Sequence, residues 1–469
     1  MSLPYDKFSE KSILEYAKKL IDHSLKNICE DSIEKHHYMG KGNFGQLLEK
    51  YYFLYNPNSD AQADFHEVGL ELKTSPLKQL KNNKYRSKER LVLNIINYME
   101  IVNQEFEQSS FWKKNSKLLL VFYLYEVDKN ILDYIIKIVD KWDFPALDLE
   151  IIKQDYKIIQ NKILNGKAHE LSEGDTLYLG ACTKGSKGGN LREQPYSKES
   201  AKQRAYSLKQ GYVNHIIASL SNDTEQYGKL ISSLKTVKNQ TLEDIVIKKF
   251  QPYYEETVDE ILDRLSVKIN TKEKNFYASL TKLILGIELS KEIEEFHKAD
   301  IIVKTVRLKE NNLPKEDISF PVFSYEDVLN ERWEESKTKD IFEHKFLFVF
   351  FQFQNETLVL KKVRFWNMPY NDILEVEKVY IKTQKILSRG EIVKEIKINK
   401  NGNKVRYTNF PNKSFSFVAH VRPHARNAKD VVILPVKDKI TDAKVYTKHC
   451  FWLNSEYVKD VIYLNGKRN

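Results

Sequence analysis

The sequence predicts an α/β protein of two halves built alike, each a mixed central sheet flanked by helices. Three observations carry this expectation. LELKT at 70–74 is echoed by IIVKT at 301–305. Each is followed by a basic or polar loop and later by a strongly apolar run, at 118–125 and 346–351. Late in each half a basic loop (CTKGSKGG, then HVRPHARNA) precedes an aromatic-rich segment and a helix.

The elements follow in order. Ile13, Leu14, Ala17, Leu20 and Ile21 recur at helical spacing within 8–25. Phe44, Leu47, Leu48 and Tyr51 share one face of a second helix over 41–53, opened by a glycine-bearing turn. Residues 56–62 (NPNSDAQ) are loop by composition. Val68–Thr74 alternates, with Val68, Leu70 and Leu72 on one side and Gly69, Glu71 and Lys73 on the other, so it reads as a half-buried strand. A basic stretch (78–90) and a continuously apolar strand (118–127) come next. The chain is again basic over 184–209, and Ala205, Leu208, Tyr212 and Ile216 mark a helix. Residues 221–240 are polar and weakly periodic, which places a linker at 226–240 between domains 1–225 and 241–469. The second half is expected to hold a helix near 253–265, strands at 300–306, 346–353 and 358–366, and a helix near 456–462.

Composition narrows the function. A chain of 469 residues exceeds one ordinary core. Apolar residues at 41% and few Gly and Pro (16 and 12) exclude wholesale disorder. The net charge of +10 suits a polyanionic partner. Cys29, Cys182 and Cys450 are odd in number and far apart, so neither a disulfide framework nor a zinc site is indicated. A polar N-terminus and short apolar runs point to a cytoplasmic protein without a membrane span. GSKGG at 185–189 lacks the phosphate-loop pattern of an ATP-driven motor, and the adjacent His36 and His37 do not face one metal.

Chemistry concentrates on one strand. Glu71 and Lys73, two apart, project to the same side, and the loop before them can bring Asp64 beside them. Two carboxylates beside a main-chain carbonyl make a hard-oxygen site suited to Mg²⁺. An ammonium group next to it suits phosphodiester hydrolysis. The spacing alone also fits a solvent-facing strand side with a surface ion pair. Context favours chemistry: the strand's other face is apolar, Glu49 lies on the preceding helix and basic loops flank the site.

KGNFGQLLE, then Asp64, then VGLELKT followed by Pro76, resembles the signature of MutH, the mismatch-repair nuclease. ELKTSPLK, KYRSKERLVLNIINY, IIKQDY, GKAHELSEG and HVRPH extend the match over nearly the whole chain. They resemble the MutH-related type II restriction endonucleases that cleave GATC and carry a second MutH-like domain. The resemblance implies metal-binding roles for Asp64, Glu71 and the Leu72 carbonyl, a catalytic Lys73, and Glu49 as an additional acid. Lys41 and Gly42 match a pair at the DNA surface, and a further active-site lysine is either Lys114 or Lys117. Lys184, Lys187, Arg204 and Lys209 are the expected DNA contacts of the basic 184–209 stretch. The family's arginine-proline loop is missing at 182–184 but kept as Arg422 and Pro423, with His420, His424 and Arg426 in the same loop. The implied partners are double-stranded GATC DNA and, functionally, a cognate methyltransferase, with a monomer able to dimerise on DNA.

In the second half Ile302 stands where Glu71 stands, Lys304 where Lys73 stands, and Glu295 where Asp64 stands. Without the glutamate no metal site is expected there, and the resemblance implies that this half binds a second DNA site as an effector. The alternatives are a MutH-like nicking repair enzyme and a GATC-binding protein without cleavage. An in-built effector half argues against the first, and the intact Asp64, Glu71 and Lys73 against the second.

Overall fold

The computed structural model describes residues 3–29, 43–55, 62–184, 190–224 and 226–466. It divides into two compact units, one of Met1–Leu242 with Ile287–Asp300, the other of Glu243–Gly286 with Ile301–Asn469.

Among its described residues the first unit has eleven strands: β1 (Glu71–Gln79), β2 (Tyr85–Ser87), β3 (Leu91–Ile95), β4 (Lys117–Leu124), β5 (Ile136–Asp143), β6 (Leu179–Thr183), β7 (Leu191–Gln194), β8 (Ser197–Lys202), β9 (Arg204–Leu208), β10 (Tyr227–Gly228) and β11 (Glu292–Ile293). The main sheet runs β2-β1-β4-β5. β1 and β4 are parallel with Glu71 opposite Leu118, and β5 returns antiparallel. β4 is apolar over Leu118–Phe122, which are all buried, as a strand covered on both faces of the sheet requires. One face packs on Ile13 and Ala17 of the helix Glu10–Lys18 and on Leu48 and Phe53. A second sheet, β3-β9-β6, is antiparallel. The long helix Ala146–Leu164 starts after Pro145, whose missing N–H costs nothing at a helix start.

Three expectations are corrected here. The strand begins at Glu71 rather than Val68, because Phe65 and Leu70 exchange backbone hydrogen bonds (2.9 and 3.2 Å) across a tight turn. Gly69 holds φ +67° in that turn, a conformation glycine adopts without steric cost. The helix of 41–53 is a short helix, Asn43–Leu47, that runs into a wider π turn, Leu48–Tyr52. The stretch 226–240 is no linker. β10 pairs in parallel with β11, and the helix Leu234–Asn239 buries Val237. The partner strand comes from 287–300, a return of the chain that no local pattern announces.

The second unit holds β12 (Ile302–Leu308), β13 (Ile318–Val322), β14 (Phe346–Gln354), β15 (Thr357–Trp366), β16 (Val393–Ile398), β17 (Lys404–Thr408), β18 (Ala419–Pro423), β19 (Val431–Ile433), β20 (Val445–Thr447) and β21 (His449–Leu453). β12 and β14 are parallel and β15 returns antiparallel. The helix Tyr370–Arg389 follows Pro369, and β13-β21-β18 form an antiparallel sheet. Phe346, Phe348 and Phe350 anchor its core. Among the described residues no helix is long and apolar enough to cross a membrane.

Candidate active site

The 65–70 turn folds Asp64 back onto the first residues of β1. Asp64 Oδ2 accepts the Leu72 N–H (3.0 Å), and Glu71 Oε2 accepts the Asp64 N–H (3.1 Å). These two bonds fix the carboxylates against each other. Lys73 Nζ donates to Glu71 Oε1 at 2.5 Å, as its place two residues along the strand requires. Of the two lysines left open, the structure brings in Lys114, whose Nζ lies 3.7 Å from the same Glu71 oxygen. Lys117 instead pairs with Glu10 at 2.9 Å, because β4 starts there and points it away from β1's acids. Glu49, on the π turn, lies within the electrostatic field of Lys73, Glu71 and Lys114.

The site is three acids facing two ammonium groups in a sparsely hydrated place. Glu71 is 1% exposed. Burial and the neighbouring Glu71 push the Asp64 carboxyl up to about 7, with Lys73 opposing. Burial also raises Glu49. Tyr55, which the sequence did not single out, closes the far side. Its buried hydroxyl has no hydrogen-bond partner among the described residues, and burial together with Asp64, Glu49 and Glu71 raises its pKa. No motif signals it, since only the fold carries Tyr55 to the acids.

A group whose folded pKa is raised stabilises the fold below its unfolded value and loses that contribution as pH rises through the folded one. In metal-free buffer the stability owed to Asp64 therefore falls between about pH 4 and about pH 7. Asp64→Asn is expected to become progressively more stable than the parent across that window. Thermal unfolding at several pH values in EDTA tests this; a constant difference between the two proteins would refute it.

The other assignments divide. Lys41, Gly42 and Lys187 lie outside the described residues. Lys184 is exposed just past β6. Arg204 and Lys209 are corrected: both are buried (5% and 4%). Arg204 Nη1 donates to the Ala181 carbonyl (2.6 Å) and Lys209 Nζ to that of Thr176 (2.6 Å), so both side chains turn into the fold. Their basic run encloses β9, the central strand of its sheet, whose residues are all buried.

In the second unit, Lys304 Nζ donates to the Ser319 carbonyl (2.9 Å), and burial lowers its pKa. Glu295 is no counterpart of Asp64. It belongs to the first unit, where its carboxylate accepts the Leu230 and Ile231 N–H groups. Arg422 lies with its guanidinium carbon 3.8 Å over Trp452 and donates to Asp317 at 3.0 Å. Burial pushes Asp317 upward, yet Lys413 and the Ser455 N–H hold its carboxyl below the usual range. Asp317 was not foreseen, and it fixes Arg422 where the loop 424–430 begins. His424 and Arg426 are exposed in that loop, whereas His420 is buried against Asn454.

Comparison with known proteins agrees with this geometry. The model of the family described as DNA mismatch repair enzyme MutH matches residues 53–155, which include Asp64, Glu71, Lys73 and Lys114. Type II restriction enzyme Sau3AI of Staphylococcus aureus is 38% identical over 451 residues, covering 89% of this chain and 92% of that enzyme. With the acids and lysines converging on β1, this likeness over nearly the full length identifies a site-specific DNA endonuclease, and the chain belongs to the MutH-related type II restriction endonucleases.

Proposed function

We propose that this enzyme makes Mg²⁺-dependent double-strand cuts at 5′-GATC-3′, with the chemistry at Asp64, Glu71, Lys73 and Lys114. The observation that carries the reading is that the backbone bonds of the 64–72 turn hold the Asp64 and Glu71 carboxylates together, with Lys73 and Lys114 at one Glu71 oxygen. Such a donor set fits a hard divalent ion. Among the described residues no group of three or more His, Cys, Asp and Glu stands at ligand spacing. Asp64 and Glu71 would therefore hold the ion with main-chain oxygen, the Leu72 carbonyl first, and with Glu49 close by.

A bound divalent ion supplies neutralisation of the acids and Lewis-acid help at phosphorus. The chain's own groups do the rest. Glu71 keeps Lys73 in place, leaving the other Nζ hydrogens to orient the attacking water and to stabilise charge on the scissile phosphate. Lys114 adds a second positive charge at the same oxygen.

The second unit reads as a duplicated MutH-like domain without chemistry that binds a second DNA site as effector. Internal likeness supports this. Asp148, third in its helix after Pro145, accepts the Tyr212 hydroxyl (3.0 Å). Asp372, third in its helix after Pro369, accepts that of Tyr457 (2.7 Å). Ile302 at the Glu71 position removes the metal site. A cognate methyltransferase would protect host GATC sites, and the chain would act as a monomer that dimerises on DNA.

The test uses plasmids with and without GATC, incubated with the full chain in Mg²⁺ or EDTA. Linear fragments are expected only with GATC and Mg²⁺. Cutting of the GATC-free plasmid would refute the specificity, and cutting in EDTA the metal. A short GATC duplex in trans should speed cleavage; an unchanged rate would refute the effector role.

A further inference from the structure

We propose that the ribbon β16–β17 of the second unit is a DNA-gripping element, laid along a duplex beside Arg422. The inference rests on the effector reading above and adds a surface to it. Between Leu164 and Leu179 the first unit carries no ribbon but two single turns, Ala168–Glu170 and Glu173–Asp175; its own two-stranded hairpin, β7–β8, lies elsewhere, between β6 and β9. In the second unit the same interval, from Arg389 to Ala419, holds a hairpin that belongs to no larger sheet.

A lone hairpin is marginal in water unless it is anchored. This one is. Val393 N–H donates to the buried Asp438 (2.9 Å), and the Asn409 N–H closes the base on Ile392 (2.8 Å). At the tip, Gly402 takes φ +75°, and Asn399 Oδ1 accepts the N–H groups of Asn401 and Asn403. The ribbon is therefore a defined object.

Its two faces differ. Residues opposite each other in register point the same way. One face gathers Ile396 with Arg406 and Ile398 with Lys404, and it holds no acid. Ile398 is 72% exposed. The other face pairs Glu395 with Tyr407, and there Lys397 neutralises Glu395 at 2.8 Å. Lys394 and Lys400 add exposed charge at the root and tip. Lysines on an open edge also guard against strand pairing. An acid-free cationic face with apolar side chains between the charges goes further, since it complements the sugar-phosphate backbone. A two-stranded ribbon also fits the major groove.

Position agrees. Arg406 lies over Tyr446 (5.7 Å), whose ring is 5.6 Å from His449, and His449 is paired in register with Pro423. The middle of the ribbon thus stands near the end of the sheet that carries Arg422 and the loop 424–430. Duplex DNA is the occupant that this charge selects.

The experiment titrates a labelled 20-base-pair GATC duplex into the full chain with Ca²⁺ in place of Mg²⁺, over a series of KCl concentrations. Three proteins are compared: the parent, Arg422→Ala, and the combined Lys394→Gln, Lys400→Gln and Lys404→Gln variant. Two equivalents are expected for the parent, with Arg422→Ala weakening one of them. The ribbon variant should weaken that same equivalent at least ~10-fold and lower its log–log salt slope by about 2 to 3, close to 0.9 per lost phosphate contact. If Arg422→Ala weakens an equivalent and the ribbon variant leaves it unaltered, the ribbon proposal alone falls. A single equivalent in the parent, untouched by Arg422→Ala, removes the effector reading and the ribbon with it. Loss of self-association by sedimentation with DNA binding intact would make the ribbon a docking face for a second copy and overturn the proposal.

Discussion

Glu71→Gln is expected to slow cleavage by ~10³-fold or more while leaving duplex affinity in Ca²⁺ within about threefold. Glu71 is the hub of the site. One oxygen takes Lys73 and stands 3.7 Å from Lys114, and the other takes the Asp64 N–H. The amide keeps the shape and one acceptor but removes the charge that holds both lysines and half of the buried acid pair. Binding energy at the DNA surface comes from other residues, so affinity should survive. The comparison that isolates the site is Lys304→Met in the second unit, where the lysine donates to the Ser319 carbonyl and lies 5.1 Å from the Phe320 ring centre. That variant should cut within about twofold of the parent rate. Single-turnover cleavage of a GATC duplex measures both, and a Glu71→Gln protein within tenfold of the parent would remove Glu71 from the chemistry.

The largest effect on stability is expected at Lys298→Met. Lys298 is buried, with its Nζ 2.9 Å from Asp148 and 2.7 Å from Glu294. The rings of Tyr178 and Tyr212 flank it. Removing the ammonium leaves the buried Asp148 carboxylate without its cation and Glu294 with the more distant Lys229 at 3.9 Å, and breaking such a buried pair typically costs about 3–5 kcal/mol. Burial already raises the Asp148 pKa, with Lys298 the chief opposing influence, so in the variant Asp148 would take up a proton to escape the penalty. Urea unfolding followed by fluorescence is the measurement. Adding Asp148→Leu to Lys298→Met should recover a good part of the loss, because an apolar pair of similar volume avoids the desolvation. A single variant as stable as the parent would show that the cluster contributes little.

How much of this was legible depends on the range of the interactions involved. Glu71 and Lys73 share a side by the two-residue period of a strand, a purely local rule, and the structure keeps it. Asp64 needed the 65–70 turn, of which only Gly69 is visible in the sequence. Lys114 and Lys117 were indistinguishable, because the direction of the helix Ser110–Asn115 against β1 is set by packing. Arg204 and Lys209 misled because a run of basic residues reads as solvated surface, while β9 sits between two strands and draws its side chains inward. The three strands expected at 300–306, 346–353 and 358–366 were found within a few residues, since their apolar patterns are strong, whereas the helix Tyr370–Arg389 and the strands after it were not foreseen. The linker was misplaced because β10 finds its partner more than sixty residues later, at β11.

The return of 287–300 to the first unit makes the gene awkward to dissect. The polypeptide passes between the units at 242/243, 286/287 and 300/301, so no single break separates them. A truncation after residue 242 would discard Lys298, strip β10 of its neighbour and leave the Leu230 and Ile231 amides without the Glu295 carboxylate. An isolated first unit would need that fourteen-residue patch grafted back, so swapping units between related enzymes calls for three matched splice points.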